Sequence, residues 1–299
     1  MLRSGPGEGP LVQYAELLDA LAGLTWPSAS RARAGDPGAH RSTRLGRSPE
    51  FTEYRAYRPG DDLRRLDWKL YARTDRPFLR IADDHAALRT AIVLDASASM
   101  RFPMNGYGKW EHACAIAVGL MSVAIGEGDA VGVIVSGPEG DATIPPRRRR
   151  DVLVDAAELC ASVTPAGTGS IADTLSRAAS HPRLVVISDF LGDAERALQV
   201  LRVSAAAASE IVAVHVAASA ELDPPERTFM AADPEEPGLQ RPLSETNRDA
   251  YLNAFASWRA GIAAELHAIN ASYVLTSTAE PVRDVVRRVV SGHAAVAAP

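Results

Sequence analysis

The sequence predicts an α/β protein: a doubly wound, mostly parallel sheet, preceded by an N-terminal helix and a basic, hairpin-like segment. Three observations predict it. From Ala91 onward, short apolar runs of strand length alternate with amphipathic stretches of helix length. The strand runs (AIVLD, AVGVIVSG, RLVVISDF, IVAVHVA) are apolar almost throughout, as in strands buried between layers. Two of them, LDASAS and VVISDF, place an aspartate at the strand end, where open α/β sheets form their sites.

The elements follow in order. Residues 1–10 carry no pattern. LVQYAELLDALAGLTW (11–26) has apolar residues at helical spacing, and Pro27 ends it. The polar, Gly/Pro/Arg-rich stretch from 28 to 50 reads as an exposed loop. A strand is expected after Phe51, then a turn at RPGDD, where Pro59 presets φ and Gly60 tolerates φ > 0. PFLRIADD and ALRTAIVLD read as two strands. Helices are expected over 109–128, 149–163, 170–180, 192–210, 245–269 and 281–290. Strands are expected over 130–137, 183–190, 211–217 and 272–278. The domain reading is therefore 1–27 (tail and helix), 28–90 (basic segment packed on the main domain) and 91–295 (main domain).

The chain has 299 residues, 46% of them apolar, enough for a large core. No apolar stretch reaches the roughly 18–20 residues of a membrane span, and MLRSGPGEGP lacks the apolar core of a secretion signal. A cytoplasmic protein without membrane contact is expected. The two cysteines, Cys114 and Cys160, form no CxxC pair and read as buried hydrophobes. Net charge is −5, but Arg31 to Arg80 holds 13 basic against 7 acidic residues; that local balance of +6 leaves −11 for the remainder. Such asymmetry suits either internal docking or a basic face for an acidic partner.

Asp95, Ser97 and Ser99 stand at alternate positions in the turn leaving a strand, so one loop can aim all three at one point. Two hydroxyls, one or two carboxylates and water suit a hard ion such as Mg²⁺. Asp189 ends a second strand and can supply the other carboxylate, directly or through water. PAGTGS (165–170) offers Thr168 and Ser170. The bland alternative is that the two aspartates only cap turns or helices. The histidines form no catalytic pattern, and GxxxxGK[ST] and GxSxG are both absent. The arginine run 147–150 reads as a solvated loop at a helix start, or else as a phosphate-binding cluster.

LDASASM, its following helix, the Gly/Thr loop and VVISDF together resemble the von Willebrand factor A fold. That family's metal-ion-dependent adhesion site reads DxSxS, then Thr, then Asp. The resemblance implies that Asp95, Ser97, Ser99 and Asp189, with Thr168 as a further candidate, hold Mg²⁺ or Mn²⁺. An open coordination position would then accept a carboxylate from a partner protein. One departure stands out: aligning Ile171 and Leu175 to the family's GGT-x-[IL]-x-x-A-L pattern puts Gly169 at the threonine position, leaving Thr168 or Ser170 to substitute.

The upstream block GRSPEFTEYRAYRPGDDLRRLDWKLYART is similar to the signature of the bacterial domain-of-unknown-function 58 family. It matches at Gly46, Glu50, Phe51, Arg55, Tyr57, Pro59, Gly60, Asp61, Arg64, Asp67, Trp68, Ala72 and Arg73. Members carry a von Willebrand A-like domain after this block, and many are encoded beside MoxR-type AAA+ ATPases. The resemblance thus implies a non-enzymatic adaptor or co-chaperone that meets such an ATPase, or its client, through an acidic side chain.

Two rival readings remain. A strand-end Mg²⁺ also suits phosphoryl transfer, although Ser97 replaces the second aspartate of a DxDx nucleophile loop. Arginines interleaved with Tyr54, Tyr57, Trp68 and Tyr71 match a nucleic-acid groove, although seven acids are mixed in. In the plainest reading of that segment, Asp61, Asp62, Asp67 and Asp75 simply pair with its arginines.

Overall fold

The computed structural model describes residues 11–28, 37–41, 53–57, 66–81, 85–103, 106–138, 140–168, 170–207, 209–226, 228–232, 238 and 240–296. Two compact units are distinguished, residues 31–88 and residues 1–30 with 89–299. The chain begins with α1 (Ala15–Ala20), β1 (Pro37–Arg41), β2 (Glu53–Ala56), α2 (Trp68–Thr74), β3 (Phe78–Ile81), β4 (His85–Ala86) and β5 (Arg89–Asp95). It continues with α3 (Lys109–Gly126), β6 (Ala130–Ser136), β7 (Ala142–Arg147), α4 (Asp151–Ser162), α5 (Ile171–Ala178), β8 (Arg183–Ser188) and α6 (Ala194–Ala206). The last part comprises β9 (Glu210–Ala217), α7 (Ser219–Leu222), β10 (Phe229–Ala232), β11 (Gln240–Leu243), α8 (Glu245–Ala268), β12 (Ser272–Ser277) and α9 (Val282–Val296).

The larger unit is organised by a sheet of order β12-β9-β8-β5-β6-β7, parallel except for β7, which runs antiparallel to β6. This is the doubly wound α/β arrangement the sequence predicts. Side chains alternate across the strands. Ile92 and Leu94 face the layer containing α3, α4 and α9, whereas Ala91 and Val93 face α5, α6 and α8. Both faces are covered, which is why the strands read as continuous apolar runs. Strand order reverses between β5 and β8, and a crevice forms beyond the carboxyl ends at such a point. The register pairs Leu94 with Ile187, so Asp95 and Ser188 lie side by side one step beyond.

Some segments differ from expectation. The N-terminal helix is shorter than 11–26: a 3-10 turn over Val12–Tyr14 leads into α1, and Gly23 at φ 79° breaks the helical path. The chain then buries Trp26 beneath Arg183, whose guanidinium carbon lies 4.2 Å from the ring centre. Arg183 also donates to the carbonyls of Trp26 and Pro27 at 3.2 and 3.1 Å, and its Nε lies 3.3 Å from Glu210 Oε1. Edge strand β7 was not anticipated, because ATIPPR carries two prolines and runs into the arginine run read as a loop. It pairs because Gly132 on β6 has no side chain. A Cβ there would sit 2.4 Å from the Ile144 carbonyl oxygen and 2.7 Å from the Pro146 nitrogen. The prolines are tolerated on an edge strand that needs no outward donors. The β10–β11 hairpin and α7 were likewise not anticipated.

Within the smaller unit, β1 pairs with β4 and β2 with β3, both antiparallel. β1 falls inside the stretch read as a loop. α2 starts where the Asp67 side chain accepts from Lys69 N and Leu70 N at 3.0 and 2.9 Å. The RPGDD turn and the signature residues Gly46, Glu50, Phe51, Pro59, Gly60, Asp61 and Arg64 lie outside the described residues. No helix among the described residues is long and apolar enough to cross a membrane.

Candidate metal centre at the carboxyl edge of the sheet

The turn after β5 is shaped by its own aspartate. Asp95 Oδ1 accepts from Ser97 N at 2.9 Å, an Asx turn that folds the chain back over the strand end. Ser97 Oγ and Ser99 Oγ then lie 3.0 Å apart, and both residues are buried. Backbone bonds from Ala98 N to the Gly167 carbonyl and from Ala166 N to the Ala96 carbonyl, both 2.9 Å, stitch this turn to the loop before α5.

The end of β8 uses the same device twice. Leu191 N donates to Asp189 Oδ1 at 3.1 Å, and Phe190 N donates to Ser188 Oγ at 2.8 Å. Phe190 takes a left-handed conformation (φ 55°) between them. Ser188 Oγ donates to Asp95 Oδ2 at 2.6 Å, which locks the two strand ends together.

Asp95 is 4% exposed and Asp189 2%. Burial, and then the negative charge of Asp189, push the Asp95 carboxyl up to about 6; the bonds from Ser188 and Ser97 only partly offset this. Asp189 has an internal counter-ion. Lys109, the first residue of α3 and fully buried, places Nζ 2.7 Å from Asp189 Oδ2 and 2.8 Å from Glu221 Oε1 on α7. Burial works against the ammonium charge, but the two carboxylates outweigh it and hold Lys109 above its ordinary value.

The structure therefore brings Asp95, Ser97, Ser99 and Asp189 to one edge, and the Gly167 carbonyl before Thr168 accepts from Ala98 N in the same turn. Thr168 is exposed and lines a cavity of about 340 Å³ with Asp141, Asp173, Arg177 and Ser136, the last of which pairs with Asp95 across β5 and β6. Ser170, the other hydroxyl considered, donates to Asp193 Oδ2 at 2.7 Å. Gly169 lies outside the described residues. No cluster of three or more His, Cys, Asp or Glu side chains among the described residues is arranged as a metal site.

The donors nonetheless fit a hard divalent ion. Asp95 retains lone pairs after its two internal bonds, and two hydroxyls adjoin it. Lys109 offsets only one of the charges of Asp95, Asp189 and Glu221, and a divalent cation matches the surplus. Because Asp189 already serves Lys109 and Leu191 N, it suits a water-bridged role rather than direct ligation.

Sequence reading missed Lys109, Glu221 and Ser188. A signal existed for the first: a lysine opening a helix sits at the positive end of the macrodipole, an unfavourable place unless carboxylates wait there. Of the other singled-out residues, His112 bonds Thr276 Oγ1 and the Tyr107 hydroxyl, and His215 bonds the Tyr273 hydroxyl. Cys114 and Cys160 are free and buried. In the arginine run, Arg147 pairs with Asp155 and Arg149 with Asp151.

Comparisons with known proteins place the chain among relatives of similar sequence. An uncharacterized Mycobacterium tuberculosis protein, Rv1480, is 30% identical over 266 residues, covering 85% of this chain and 83% of its own. Among solved structures, the conserved hypothetical protein BatB from Bacteroides thetaiotaomicron aligns over 70% of this chain and 100% of its own, at 17% identity and a TM-score of 0.48. The SpRpn10 VWA domain aligns over 68% of this chain and 95% of its own, at 13% identity and a TM-score of 0.41. The fold is α/β, with a mostly parallel six-stranded sheet covered by helices on both faces. The family model described as protein of unknown function DUF58 matches residues 53–260, and the chain belongs to that family.

Proposed function

We propose that this chain is a non-enzymatic protein-interaction module whose recognition face is the carboxyl edge of the sheet at β5 and β8. In this reading Asp95, Ser97 and Ser99 hold a Mg²⁺ or Mn²⁺ ion, and Asp189 supports it through water. Bound there, the ion would offer an open coordination position to a carboxylate. The partner is an acidic side chain of a MoxR-type AAA+ ATPase or of a client that such an ATPase remodels. The segment 31–80, with a local charge balance of +6, suits an acidic partner in its own right.

The observation that carries the reading is the Ser97–Ser99 hydroxyl pair beside a buried Asp95 whose charge is only partly compensated. The chain's residues do the positioning: Ser97 N and Ser188 Oγ fix both oxygens of Asp95, while Lys109 holds the neighbouring Asp189 through a 2.7 Å ion pair.

Calorimetric titration of Mg²⁺ and Mn²⁺ into the parent protein and into Asp95→Ala tests the metal. Heat in the parent alone is expected; its absence from the parent overturns the metal reading. A pull-down with the ATPase, with and without chelator, tests the partner. Retention that ignores both chelator and Asp95→Ala would remove the site from recognition.

A further inference from the structure

Helix α2 of the smaller unit turns two aromatic side chains to the surface. Trp68 is 61% exposed and Tyr71 38%, and their rings meet edge to face, 6.3 Å apart at 88°. Trp68 is the most exposed of the chain's four tryptophans: Trp26 and Trp110 are buried and Trp258 is half-buried. At about 100° per residue, the exposed positions run round the helix in the order Tyr71, Trp68, Ala72, Lys69, Arg73. An aromatic notch therefore lies on one side of Ala72 and two cations on the other, while half-buried Leu70 takes the opposite side of the helix.

The cations are uncommitted. Neither Lys69 nor Arg73, nor the exposed Arg76 just past the helix, pairs with a carboxylate among the described residues. On the larger unit, Arg177, Arg196, Arg202 and Arg288 are also at the surface, yet each has a carboxylate partner. The acids next to α2 do not serve its cations: Asp67 turns Oδ1 to the amides of Lys69 and Leu70, and Asp75 ends the helix in a left-handed conformation. A large apolar side chain left in water is informative. Trp and Tyr beside Arg is the composition of interface anchors.

We propose that this face of α2 is the docking element for an acidic segment of a partner protein. One apolar side chain of that segment sits in the Trp68–Tyr71 notch, and its carboxylates meet Lys69 and Arg73. The proposal rests on the reading of the basic segment as a surface for an acidic partner, and it owes nothing to a metal ion. Charge selects the occupant: residues 31–80 carry +6, which attracts an acidic chain and repels a basic one. The perpendicular rings argue against nucleic acid. Successive bases stack on ring faces presented side by side, whereas a notch between one ring's face and another's edge takes a compact aliphatic group.

The test uses the full chain, ¹⁵N-labelled, in excess chelator. The probe is a blocked hexapeptide of two leucines between pairs of glutamates, with hexaglutamate and hexathymidylate as comparisons. The leucine peptide is expected to shift the Trp68 indole N–H resonance saturably and to bind Trp68→Ala roughly tenfold more weakly. Arg73→Gln should weaken binding roughly threefold and flatten its salt dependence; it also decides the matter if Trp68→Ala does not fold. An unmoved indole resonance, or affinity unchanged in the folded variants, overturns the docking element. Hexaglutamate binding as tightly as the leucine peptide overturns the notch. Hexathymidylate binding more tightly overturns the acidic-protein assignment, as does dimerisation by light scattering that Trp68→Ala abolishes, which assigns the face to a second copy of this chain. Because chelator is present throughout, failure of the metal titration leaves this result unaffected, and peptide binding that holds while the ATPase pull-down fails removes only the ATPase.

Discussion

Lys109 Nζ lies 2.7 Å from Asp189 Oδ2, and neither side chain has more than a trace of contact with water. The pair has a third member in Glu221, 2.8 Å from the same ammonium. Breaking a buried pair by removing one partner strands the other charge, which typically costs about 3–5 kcal/mol. Lys109→Met should lower stability in chelator by that order, measured by urea denaturation. It also frees Asp189 for direct ligation, so Mn²⁺ should restore more stability to the variant than it adds to the parent. Equal Mn²⁺ increments in both would show that Asp189 takes no part.

Asp95 sets a pH dependence of the metal-free protein. Its folded value, about 6, lies above the ordinary 3.8, so the contribution is intact below 3.8 and is lost as pH rises through 6. Asp95→Asn removes that loss. In chelator its stability advantage should grow between pH 4 and 6 and level off above, reaching on the order of 3 kcal/mol. Denaturation midpoints across this range measure it, and an advantage that shrinks with rising pH contradicts the burial argument.

The buried histidines act in the opposite sense. Burial lowers His112 and His215 to about 4, so their contribution is present above 6.5 and lost as pH falls toward 4. The melting temperature should drop over that interval, and His112→Gln should flatten the drop. An unchanged slope in a folded variant would exclude His112 as a source.

Ser188 joins the two strand ends, donating to Asp95 and accepting from Phe190 N. Ser188→Ala leaves both partners short of a bond in a buried site, at about 1–3 kcal/mol. Its bond also helps keep Asp95 ionised. Metal affinity near pH 6 should therefore fall more than affinity at pH 8, as read by calorimetry at the two values.

At the amino ends of the strands, Arg183 secures the segment 26–28 through two carbonyls and the Trp26 ring. Arg183→Met takes the buried guanidinium away from Glu210 and should cost about 3–5 kcal/mol. Amide exchange over residues 24–28 should quicken more than that over β5. Uniform acceleration across the unit would indicate global destabilisation without release of the segment.

The alternation of apolar runs and amphipathic stretches was sufficient for β5, β6, β8, β9 and β12 and for the long helices, because burial on both sheet faces writes an apolar signature into the four inner strands. The DxSxS turn was legible for a similarly local reason: Asp95 folds the backbone onto itself within two residues. Elements that depend on a distant neighbour were not legible. β7 exists because Gly132 leaves room for a proline-bearing strand, and α7 matters because Glu221 reaches Lys109, 112 residues earlier in the chain. The sequence by itself determined which carboxylates end the strands. Only the tertiary structure decided that Asp189 is shared with a buried lysine while Asp95 is not, because charge compensation is settled by which side chains are desolvated together, and no sequence spacing records that.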